Sequence, residues 1–295
     1  MKNLIFLLIS TLMMNSQVSA QKLSPYIKVG DVSGSMKEVS AKVVSALKSQ
    51  NFKIVGFYHP AQKANLKIIA FTRSDLKNTV VKVPDRGALA ATMKIGLYRK
   101  GDKVAVSYTF PEYVLRAYLR DNYAKYQSVF NKFNNDLKLA LSSVGSDFTP
   151  FGGKVSADKL KKYHYKVFMP YFTDPVTLKT FASFSEGVKT IEQNLSNHVG
   201  KTSLIYKIKY KSKNIAVYGV ALRSKSDGES VFLPKIGERH IAAMPYQVIL
   251  QGKKATILPG KYRIALFWPE LSMGTFMRIV STPGDIEDTL ALLCQ

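Results

Sequence analysis

The chain has 295 residues with 43 Lys and Arg against 20 Asp and Glu, a formal net charge of +23. A chain this long can bury one large or two medium cores, and 46% apolar residues with one cysteine exclude both a disordered and a disulfide-stapled class. The positive excess is spread over both halves, which predicts a surface that attracts anions generally.

The first 20 residues carry Lys2, an apolar stretch from Leu4 to Met14 and the small-residue ending Val18-Ser19-Ala20. That is the pattern of a secretory signal peptide with cleavage before Gln21, and it predicts a periplasmic or secreted protein. The stretch is too short to span a bilayer, and no later segment supplies 18 or more uninterrupted apolar residues, so no transmembrane segment is expected. Cys294, alone near the C-terminus, has no intrachain partner.

A strand is expected over Tyr26 to Val32. Next comes a helix whose apolar face is Met36, Val39, Val43, Ala46 and Leu47 and whose start is the capping box Ser35-Met36-Lys37-Glu38. Four strands follow, at Phe52 to Tyr58, Leu66 to Thr72, Thr92 to Tyr98 and Lys103 to Phe110, the last pair joined by a turn at Gly101-Asp102. From Pro111 a long helix is expected, because Leu119, Tyr123, Tyr126, Phe130, Phe133, Leu137 and Ala140 recur at helical spacing.

The same order returns 148 residues later. Ser183-Phe184-Ser185-Glu186 repeats the capping box, and Phe184, Ile191 and Leu195 repeat Met36, Val43 and Leu47. Strands are expected at Ser203 to Lys211, Asn214 to Leu222, Pro245 to Leu250 and Tyr262 to Trp268, with a final helix over Asp285 to Leu293. On that reading Trp268-Pro269-Glu270 repeats Phe110-Pro111-Glu112 after about ten inserted residues. The fold class is α+β, two related β-α-β(4)-α units, each an antiparallel or mixed sheet covered by helices. The expected organisation is a signal peptide at 1–20, a first domain at 21–145, an aromatic connector at 146–173 and a second domain at 174–295.

The connector holds Tyr163-His164-Tyr165 and Met169-Pro170-Tyr171-Phe172, aromatics placed to line a cleft between the domains. Candidate ligand-binding residues are Tyr163, His164 and Tyr165 there, with Arg239 and His240 in the second unit and Tyr246 and Arg263 on its last strands as anion-contacting neighbours. The four histidines lie at least 34 residues apart, so none forms a local metal-ligand pair. The motifs of nucleophile-elbow hydrolases, zinc proteases, dithiol redox sites and dinucleotide binders are absent, so no cofactor and no catalytic residue is assigned. Expected partners are an anionic ligand, a glycan, a lipid head group or an acidic protein. No specific nucleic-acid motif is present.

Asp31-Val32-Ser33-Gly34-Ser35 spells D-x-S-x-S and resembles the metal-dependent adhesion site of von Willebrand factor A domains, which implies a divalent cation on Asp31, Ser33 and Ser35 as the alternative reading. A third possibility is an unrecognised periplasmic enzyme. The helix, the phrase Leu47-Lys48-Ser49-Gln50-Asn51-Phe52-Lys53-Ile54 and the strands ending at Phe110-Pro111 resemble the bacterial family called domain of unknown function 302. The resemblance implies a compact β-α-β(4)-α unit over about 26–141, a divergent copy over about 174–293, and no catalytic residues.

Overall fold

The computed structural model describes residues 21–295; the expected signal peptide lies outside them. The short strand β1 (Lys22–Leu23) precedes β2 (Tyr26–Ser33), and helix α1 (Met36–Ser49) follows. The start of α1 is fixed as its residues dictate: Ser35 Oγ accepts from the Glu38 N–H, and Glu38 Oε2 accepts from the Ser35 N–H at 2.8 Å. Then come β3 (Lys53–Tyr58), β4 (Leu66–Thr72), α2 (Ser74–Val80), β5 (Met93–Lys100), β6 (Lys103–Thr109), α3 (Pro111–Leu119) and α4 (Gln127–Ser142).

The expected long helix is therefore two. Arg120 takes φ 53°, which no helix continues, and 3₁₀ turns carry the chain to Gln127. The break leaves Phe130, Phe133 and Leu137 packed on the sheet while α3 turns towards the second half.

The connector contributes β7 (Thr149–Phe151), which pairs with β2, and β8 (Val155–Ser156), which pairs with β1, followed by the single turn α5 (Ala157–Leu160). The second half runs β9 (Val176–Thr180), α6 (Phe184–Ser196), β10 (Thr202–Tyr210), β11 (Ile215–Leu222), α7 (Glu229–Ile236), β12 (Tyr246–Gln251), β13 (Lys254–Ile257), α8 (Gly260–Phe267), α9 (Met273–Met277) and α10 (Thr282–Ala291).

All the strand pairings are antiparallel, and the two large sheets share one order. The first is β3-β4-β5-β6-β2, extended by β7, and the second is β10-β11-β12-β13-β9. Each has a bulge at the same place on its leading edge strand, between Ile54 and Gly56 in one and between Leu204 and Tyr206 in the other.

One expected strand is a helix instead. Tyr262 to Phe267 are all buried and show no alternation, and such a fully buried run, mostly apolar around Arg263, suits a helix as well as a strand. The fifth strand is β13, and α8 is the counterpart of α3. Leu258-Pro259 then answers Phe110-Pro111 at the same 148-residue offset as the capping boxes, and no inserted segment is needed between those two anchors.

Each sheet covers one face with its own helices and turns the other towards the opposite half. The 3₁₀ segment Glu238–Ala243 packs on β5, where a β-carbon at Gly96 would meet Ile241 and Ala242. Its counterpart Gly87–Ala91 packs on the second sheet, where Gln247 Nε2 donates to Leu89 O at 2.9 Å. Tyr58 at the end of β3 donates to Glu229 on α7 at 3.1 Å, and Tyr210 at the end of β10 donates to Lys77 O on α2 at 2.9 Å.

The exchange is reciprocal, so one core runs through both halves. The edge strands β3 and β10 abut so closely that a β-carbon at Gly56 would lie 2.2 Å from the Ile205 carbonyl oxygen. Gly56→Ala therefore forces backbone apart and should cost roughly 2–4 kcal/mol in urea unfolding, whereas Gly101→Ala, with open space around it, should cost under about 1 kcal/mol.

Candidate functional site

The C-terminus of α8 is where the halves are pinned together. Its last carbonyls lack intrahelical partners, and three tyrosines from outside the second half supply them. Tyr163 donates to Ala265 O at 2.7 Å, Tyr113 to Leu266 O at 2.7 Å and Tyr26 to Phe267 O at 2.8 Å. Burial pushes all three phenols up, so they remain neutral donors.

Beside this junction lies a cavity of about 200 Å³. The end of α3 supplies Ala117, Arg120 and Asp121, the connector supplies Lys161, Lys162, Tyr163, Tyr171, Phe172 and Thr173, and α8 supplies Tyr262. Phe172 is clasped by two guanidinium groups, Arg86 at 4.7 Å and Arg120 at 5.3 Å from its ring centroid, with Tyr118 at 5.3 Å and Tyr262 at 6.1 Å as aromatic neighbours. Asp85 pairs with both arginines and sets their orientation.

Donors remain after these pairings. The Tyr262 hydroxyl, Arg120 Nε and Arg86 Nη1 are buried without a hydrogen-bond partner among the described residues. Burial holds the Tyr262 phenol well above its ordinary range, so it can only donate or accept as a neutral group. Three lining cations face one lining carboxylate, that of Asp121, over aromatic walls. Chemically the cavity suits a small anion with a flat apolar face.

The remaining expected residues fall in three places. His164 lies tilted against Tyr171 with ring centroids 4.5 Å apart, its Nδ1 2.9 Å from Lys166 O, and Tyr165 donates to Leu271 O at 3.0 Å. Arg239 and His240 share the Glu270 carboxylate at 3.0 Å each, and His240 is packed among Tyr26, Phe151 and Trp268. Burial and neighbouring Arg239 lower the His240 pKa despite the opposing pull of Glu270. Tyr246 and Arg263 do meet, but deep inside: the guanidinium lies 3.9 Å from the Tyr246 ring centroid, and both residues are buried. Arg263 sits on α8, not on a strand.

Asp31, Ser33 and Ser35 lie at the end of β2 and the start of α1. The Asp31 carboxylate is 2.7 Å from Lys28 Nζ, and Ser35 is engaged as the helix cap. Among the described residues no three His, Cys, Asp or Glu side chains cluster in a way that would hold a metal ion.

A second, wider groove of about 720 Å³ runs along the seam and is lined by Gln62, His198, Lys201, Thr202, Ser203, Arg223 and Lys225. It carries no carboxylate. Arg223 Nε donates to Ser203 Oγ at 2.6 Å, and His198 Nδ1 is 3.0 Å from Thr202 O. No helix among the described residues is long and apolar enough to cross a membrane.

No family model and no curated protein matches the chain. Among solved structures it is loosely similar to an uncharacterized conserved protein, domain of unknown function 302, from Bacillus stearothermophilus. The identity is 13%, covering 41% of this chain and 98% of that one, with a TM-score of 0.36.

Proposed function

We propose that this is an exported binding protein for a small organic anion, held in the cavity between α3, the connector and α8. The observation that carries the reading is the set of unpartnered donors, the Tyr262 hydroxyl and Arg120 Nε, on residues that line a cavity also lined by two lysines and the ring of Phe172. Buried polar groups are costly to leave unmade, about 1–3 kcal/mol each, so a site that keeps them open is suited to a ligand that closes them. The N-terminal signal pattern supports the exported setting, and the basic seam groove supports a protein that gathers anions at its surface.

On the same reading the chain is two divergent copies of one unit. The shared strand order, the matched bulges, the repeated capping serines and the reciprocal contacts support that descent.

Thermal unfolding of residues 21–295 with benzoate, phenyl phosphate and inorganic phosphate tests the site. A bound anion at 100 times its dissociation constant should add about 2.7 kcal/mol, and Tyr262→Phe with Arg120→Gln should remove most of that gain. An equal gain in the double variant would assign the binding elsewhere. Magnesium or calcium serves as the contrasting arm: stabilisation abolished by Asp31→Ala would instead favour the cation-dependent adhesion reading.

A further inference from the structure

The inner face of the first sheet carries a charge that nothing nearby answers. Lys94 on β5 is 3% exposed, and the influences on its amino group are burial and the like charge of Arg263. Arg263, 2% exposed, donates through Nη2 to Ala243 O and, at 2.9 Å, to Pro245 O, while its Nε and Nη1 have no partner among the described residues. The buried hydroxyl of Tyr246 lies against the Arg263 guanidinium, and that of Thr92 lies against the Tyr206 hydroxyl, both without a well-formed hydrogen bond.

The carboxylate of this region, Glu229, is already taken up by three donors: Tyr58 at 3.1 Å, the Ala61 N–H at 2.9 Å and the Leu222 N–H at 3.3 Å. The matching site in the second sheet makes the mismatch plain. Gly56, Ala70 and Lys94 lie abreast across the first sheet just after its bulge, as Tyr206, Gly219 and Gln247 do across the second. In the second sheet the third residue is neutral, and its amide is satisfied by Leu89 O and the Tyr206 hydroxyl at 3.0 Å. In the first sheet the same position holds an amine that is a cation below about pH 7.

We infer that Lys94 and Arg263 hold a small inorganic anion, of halide to nitrate size, at the seam between the two halves. Two buried positive charges without a countercharge are strongly unfavourable, and a small anion beside Arg263 Nε and Nη1 relieves both while giving those open donors a partner. The site is separate from the connector cavity, which has neither Lys94 nor Arg263 in its lining.

The test is thermal unfolding at constant ionic strength and pH 6, with sodium chloride or bromide replacing sodium gluconate. The native protein should be stabilised in a saturable way, reaching roughly 100-fold in the folding equilibrium at 100 times the dissociation constant. The seam-groove variant Lys201→Ala with Lys225→Ala should keep that response. Lys94→Met should lose it while still folding, and Arg263→Met should lose it if it folds. A Lys94→Met protein that responds to halide as the native one does, or a native protein indifferent to the exchange, would overturn the inference.

Discussion

Lys94→Met should make the protein more stable in gluconate buffer at pH 6, by roughly 2–4 kcal/mol in urea unfolding, with the gain fading to near zero by about pH 10.5. Burial, assisted by Arg263, lowers the Lys94 pKa from 10.5 to about 7. At 1.36 kcal/mol per pH unit the upper bound on the penalty is about 5 kcal/mol. Because the folded pKa is depressed, the unfolded chain binds the extra proton between pH 7 and 10.5. The native protein therefore bears the full penalty below pH 7 and recovers it as the pH rises through that window. Methionine has similar reach and no charge, so it removes the penalty without opening a cavity. A destabilised variant at pH 6 would mean that the amino group has partners stronger than its burial.

Glu229→Ala should act in the opposite direction, costing about 3 kcal/mol at pH 5 and less at pH 8. The substitution leaves the Tyr58 hydroxyl and two backbone N–H groups buried without acceptors. Burial raises the Glu229 pKa from 4.5 to about 7 against the pull of those donors. A raised carboxyl pKa means that the folded state holds the proton more tightly between pH 4.5 and 7, so the residue's contribution to stability is lost as the pH rises through that window. Removing it accordingly costs most at the acid end. With Lys94 recovering its penalty only above pH 7, these two residues together place a minimum of stability near neutral pH. Urea midpoints of the native protein at pH 5, 7 and 9 would check the curve.

Much of this architecture is written locally. Leu66–Thr72 runs over the residues its apolar pattern predicts, and both helices start at the serines that announce them, although in the second Glu186 reaches back to the Ala182 N–H rather than closing the box on Ser183. What local pattern misses is what the second half does to the first. In β5 the alternation Met93, Ile95, Leu97 against Thr92, Lys94, Gly96 reads as one buried and one wet face. The wet face is covered by Glu238–Ala243, a segment nearly 150 residues away, so Lys94 ends up buried.

Glu229 follows a polar Ser226-Asp227-Gly228 turn and reads as surface, yet it receives Tyr58 from the other half. In the candidate site Tyr163 is legible as part of an aromatic cluster. Arg120 and Tyr262 are not, because the first breaks an apolar stripe that is continuous in sequence and the second sits in a run whose pattern fits strand and helix equally.

Crystals of residues 21–295 soaked in 4-bromobenzoate would locate the anion directly, since bromine is visible by its anomalous scattering. Binding in the connector cavity predicts one strong peak against Phe172, with the carboxylate within hydrogen-bond reach of Tyr262 or Arg120. Bromine found only along the seam groove near Lys201, Arg223 and Lys225, or nowhere in ordered contact with the protein, would contradict it.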